Sequence, residues 1–118
     1  MDDSERALSH GHRARELFEL LWQGAGLAAS LNTVGWLEAR LGNTEQGLAY
    51  CQQALALAQE IDNRVIAAAT WDSLGYVRHL LGQRTAAISC YQRAAAMYAE
   101  LGAVSYRAEV LINLARPR

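Results

Sequence analysis

An all-α fold, a stack of antiparallel helical hairpins, is what this sequence of 118 residues predicts, on three observations. The first is self-similarity. Sliding the chain against itself by 40 residues lays Gly35 on Gly75, Leu41-Gly42 on Leu81-Gly82, Gln52 on Gln92, Ala54 on Ala94 and Glu60 on Glu100. A fixed period marks a stacked repeat, because one hairpin cannot bury its own apolar face and needs a neighbour to do so. The second is composition: 52% of the residues are apolar and 22 are alanine, which excludes disorder and favours closely packed helices. The third is that the single proline is Pro117, so no helix is interrupted before the end of the sequence.

Taken in order, Ser4 is placed to cap a first helix, with Ala7, Ala14, Leu17, Phe18 and Leu21 at helical spacing up to about Trp22. Gln23-Gly24-Ala25-Gly26 reads as a break, since paired glycines lower helix propensity and supply left-handed backbone. A second helix then spans 27–41, with Leu31, Val34, Leu37 and Leu41 as its stripe and Gly42 as its stop. Asn43, with Gln46 three residues on, approximates a capping box for a third helix over 44–61. Asp62-Asn63 is the next turn, and a fourth helix over 64–81 turns Ala67, Trp71, Leu74 and Val77 inward. The fifth covers 84–101, closed by Gly102, and a sixth covers 104–115. The chain is thus one domain over 1–118, with whole repeats at 27–61 and 64–101 and half-units at 4–22 and 104–115.

Charge excludes more than it assigns. A formal net charge of -1 gives no general attraction to nucleic acid or to an anionic membrane. All eleven basic residues are arginine, which removes Schiff-base chemistry and a phosphate-loop lysine. No apolar run approaches the ~18 residues of a membrane span, and the opening MDDSERALSH lacks the basic and apolar regions of a secretory signal. The expected location is cytoplasmic. Cys51 and Cys90 lack metal-ligand spacing and read as buried small hydrophobes. Cys51, His79 and Asp72 do not make a nucleophile, base and orienting acid, because Cys51 falls on an inward-facing position.

The hairpin resembles a tetratricopeptide repeat, whose pattern sets a large residue, an aliphatic, a small residue, alanine or glycine, an aromatic and a small residue at fixed positions. Here these are Leu31, Val34, Gly35, Gly47, Cys51 and Ala54, then Trp71, Leu74, Gly75, Ala87, Tyr91 and Ala94. Cys51 departs from the pattern where an aromatic is usual, and the period of 40 exceeds the usual ~34. The resemblance implies a right-handed superhelical stack. The wording of the repeats, NTVGWLEARLGNTEQGLAYCQQALALAQEI and WDSLGYVRHLLGQRTAAISCYQRAAAMYAELG, is similar to the C-terminal arrays of actinomycete-type transcriptional regulators and signalling NTPases.

Such arrays bind with the concave face formed by the first helix of each hairpin. By that register the resemblance places Asn32, Thr33, Trp36, Asp72, Ser73, Tyr76, His79 and Asn113 on or beside the face. Asparagine amides both donate and accept, which suits the backbone of an extended peptide, and aromatic rings add contact area at small entropic cost. The expectation is a non-catalytic scaffold for protein or peptide, without cofactor or metal, and the docking or sensing segment of a bacterial regulator. Two alternatives stand beside it, a self-assembling structural module and a receptor for a small signal molecule. A homodimer is expected through the ends of the array, at Leu17 and Leu21 of the first helix and Val110, Leu111 and Leu114 of the sixth.

Overall fold

Residues 3–102 are described by a computed structural model. Its elements there are α1 (Asp3–Arg40), α2 (Thr44–Glu60), α3 (Arg64–Leu80) and α4 (Arg84–Glu100). No strand occurs among the described residues. The last three helices end within a residue of the sequence expectation, inside the usual scatter of helix boundaries. The sixth helix, 104–115, lies outside the described residues.

All three turns share one device. The chain reverses through a residue with left-handed backbone, Gly42 at φ +96°, Asp62 at 55° and Gly82 at +76°. At the first turn Gly42 N–H donates to the Ala39 carbonyl at 3.1 Å and Asn43 N–H to Glu38 at 2.9 Å. The same bonds recur as Asp62 to Gln59 with Asn63 to Ala58, and as Gly82 to His79 with Gln83 to Arg78. These pairs satisfy carbonyls that a helix end leaves bare. Asn63 then caps α3 by accepting from Ile66 N–H at 3.0 Å. The capping box expected at Asn43 is not formed: its amide donates to the Glu38 carboxylate of the preceding helix at 3.0 Å instead.

One expectation fails outright. The two helices at 4–22 and 27–41 are a single helix of 38 residues, and Gln23–Gly26 is not a turn. Neither Gly24 nor Gly26 has positive φ. Gly24 serves packing: a Cβ there would stand 3.2 Å from Ile61 Cγ2, where α2 ends against α1. Ser4 consequently sits inside the first turn rather than before it.

α1 and α2 cross where Gly35 and Gly47 meet. A Cβ on Gly35 would lie 2.9 Å from the Cys51 nitrogen and from the Gly47 carbonyl, and one on Gly47 would lie 2.6 Å from the Gly35 carbonyl. In the second hairpin Gly75 faces the ring of Tyr91, the position that Cys51 fills in the first. Departure from the aromatic pattern therefore has a cause: with glycine on both helices the backbones approach too closely for a ring. The hairpins join through Ala28, Ala58 and Ala67, and through a core of Ala39, Cys51, Leu74, Val77 and Cys90. α3 packs on both helices of the first hairpin as well as on α4, and an ion pair from Arg64 to Glu100 closes the second hairpin at its base.

Candidate functional site

α1 and α3 are the first helices of the two hairpins and lie side by side. Their register is fixed by Trp36 and Tyr76, whose ring centroids are 6.2 Å apart with planes inclined at 44°. Since Tyr76 is 40 residues from Trp36, the same offset sets Asn32 of α1 across from Asp72 of α3, one helical turn earlier. All four side chains are half-buried, lining a face rather than a closed core. Tyr76 also leans on the hydrophobic cluster around Leu74 and Val77.

Two features of this face carry chemistry. Asn32 Oδ1 is buried without a hydrogen-bond partner, although a buried amide oxygen ordinarily finds one. Arg40 lays its guanidinium carbon 4.7 Å from the centroid of Trp36, a cation–π contact at i,i+4 spacing. The sequence signal for Arg40 is its four-residue spacing to Trp36, which the repeat register alone does not single out. The result is a floor of two rings, bounded by a guanidinium at one end and by an amide with an unused acceptor at the other.

The remaining expected residues contribute less. Thr33 is exposed and Ser73 half-buried, and each hydroxyl donates to the carbonyl one turn back, to Ala29 at 3.0 Å and to Ala69 at 3.3 Å. His79 is half-buried at the position that Ala39 takes in α1, beside the hairpin interior rather than in the aromatic row. Asn113 lies outside the described residues, as do Val110, Leu111 and Leu114. Leu17 and Leu21 of the expected self-association surface are 58% and 43% exposed on α1.

The thiols are poor nucleophiles. Cys51 is fully buried, and desolvation pushes its pKa up to about 11; burial also raises that of Cys90, with Arg78 and Arg93 opposing the shift. Among the described residues no group of His, Cys, Asp or Glu is placed to hold a metal ion, and no helix is long and apolar enough to cross a membrane.

A search of curated proteins finds no match to the chain. Its residues 27–100 match a protein family described as tetratricopeptide repeat, whose repeats generally mediate protein–protein interaction. The matched span covers the C-terminal part of α1 and the whole of α2, α3 and α4, which is the stack containing the Trp36–Tyr76 face. The chain belongs to the tetratricopeptide repeat family.

Proposed function

We propose that this chain is a non-catalytic docking module that holds an extended segment of a partner protein along the face shared by α1 and α3. In this reading it is the docking or sensing part of a cytoplasmic bacterial regulator. The observation that carries it is the Asn32 acceptor, buried and unpartnered beside a ring pair. A buried acceptor left unpaired costs on the order of 1–3 kcal/mol, a cost that a peptide N–H would remove on binding. The rings of Trp36 and Tyr76 would take an apolar side chain of the same segment, with Asp72, Thr33, Ser73 and His79 at the margins.

The test is selection of peptides from a random displayed library on the full chain, followed by titration of the selected peptides against variants. Trp36→Ala and Asn32→Leu are each expected to weaken binding about tenfold or more, a difference of ~1.4 kcal/mol. Asn32→Leu separates binding from folding, because replacing an unsatisfied acceptor by an apolar group of similar size leaves the melting temperature at or above that of the parent. Selected peptides that bind both variants as well as they bind the parent would overturn the proposal.

A second reading, self-association, is favoured by the exposure of Leu17 and Leu21 on the part of α1 that extends past the end of α2. It is compatible with peptide docking, since these residues precede Trp36 by about four to five turns.

A further inference from the structure

The outer side of α1 carries large apolar residues in the open: Leu17, Leu20 (65% exposed), Leu27, Val34 and Leu41 (77% exposed). With half-buried Leu31 and Glu38 and with Gly24 they fall at alternating steps of three and four residues, the spacing of a coiled-coil seam. The molecule contains its own account of what such a face is for. Forty residues on, the seam residues Leu27 and Val34 become Ala67 and Leu74 of α3, both buried in clusters to which α2 contributes Ala58 and Cys51. The repeat builds this side of its first helix to be covered by another helix.

We infer that a second copy of this chain covers it, with the two α1 helices antiparallel along the seam. This rests on the self-association reading and names its surface, direction and register. Charge decides the direction. From Arg13 to Leu41 the seam positions hold two charged residues, Arg13 near one end and Glu38 near the other. A parallel pair would set Arg13 on Arg13 and Glu38 on Glu38, which is unfavourable. The antiparallel register that places Arg13 opposite Glu38 forms that ion pair twice by symmetry. It also sets Leu20 opposite Leu31 and Leu17 opposite Val34, and brings each Leu27 opposite Gly24 of the other copy, beside the Ile61 side chain that packs on that glycine. One helix face is therefore complementary to itself about a two-fold axis, as an isologous dimer requires.

The overlap from residue 13 to residue 38 is ~39 Å long and, at a helix width of ~10 Å, covers roughly 400 Å² on each copy. That is about half of a standard interface patch, the size class of weak or transient association.

Sedimentation velocity of the full chain across micromolar concentrations is expected to show a monomer–dimer equilibrium. Leu27→Glu, at an exposed position that leaves the monomer folded, should raise the dissociation constant about tenfold or more. Arg13→Glu should weaken the dimer, and Arg13→Glu/Glu38→Arg should restore it. Mixed oxidation of Leu17→Cys with Val34→Cys should give the mixed disulfide in preference to either symmetric one. A monomer at every concentration overturns the inference and the self-association reading together, leaving the stripe to a helix of a different protein. A dimer indifferent to Leu27→Glu, or one giving the Leu17→Cys symmetric disulfide, overturns this seam alone and leaves association to another surface.

Discussion

At Gly35 and Gly75 the same substitution meets different neighbours. A Cβ on Gly35 presses on the Cys51 sulfur at 2.5 Å and also on backbone, the Cys51 nitrogen and the Gly47 carbonyl at 2.9 Å, whereas one on Gly75 presses only on the Tyr91 ring, 2.6 Å from its nearest atom. Backbone in a packed hairpin cannot move aside without shifting a helix, so Gly35→Ala is expected to destabilise the chain by ~1–3 kcal/mol. Gly75→Leu should cost at least as much, since a whole side chain must enter the space held by the ring. Thermal unfolding of both variants checks this, and an unchanged midpoint would mean that the helices do not cross there. The Cys51 thiol makes a separate prediction. Its folded pKa, about 11, lies above the ordinary thiol value of 9.0, so the folded state holds the proton more tightly than the unfolded state does. The associated stability is intact below pH 9 and declines as pH rises toward 11. Cys51→Ala should flatten that decline in denaturant titrations at a series of alkaline pH values. The native thiol should also react with a thiol reagent only as fast as the chain opens.

Among the elements, α2, α3 and α4 were legible because each turn spells its own chemistry. A residue suited to left-handed backbone ends one helix, and a polar residue in the N-cap position follows at once: Gly42-Asn43, Asp62-Asn63, Gly82-Gln83. Gly24-Ala25-Gly26 has the glycines but no such residue, since Leu27 follows directly. That missing cap is the signal that separates a packing glycine from a turning one. Propensity is a weak prior that tertiary contact overrides, and here α1 is held by both α2 and α3. The two glycines should therefore respond differently. A Cβ on Gly26 would meet nothing within 4 Å, and the residue lies in helical backbone, so Gly26→Ala should stabilise by ~0.5–1 kcal/mol. Gly24→Ala crowds Ile61 and should gain less or lose. A lower midpoint for Gly26→Ala would argue that the helix bends there.

For the whole molecule, extents of 65 × 30 × 18 Å describe a slab lengthened by the helix that runs beyond it. The repeat register, read from sequence, placed Trp36 beside Tyr76 correctly because a 40-residue period fixes which turns of α1 and α3 are neighbours. Burial was not legible in the same way. Thr33 and Ser73 occupy positions that the family pattern brings to the face, yet both hydroxyls are engaged by their own helices. The unpartnered Asn32 oxygen depends on how closely α3 approaches α1, and a sequence carries no measure of that distance.

The three short turns bear on how the slab comes into being. Each closes a hairpin or joins two hairpins through only a few residues, so bringing neighbouring helices together costs little chain entropy. Pairing is between segments near in sequence, with α1 on α2, α3 on α4 and α3 on the first hairpin. Among the described helices each partner is the neighbour or the next but one, and either hairpin can form first and serve as the template on which the other condenses. Folding should be fast for the length of the chain. Under force applied at the ends, the same neighbour-to-neighbour assembly would yield in steps, one hairpin peeling from the other before either opens.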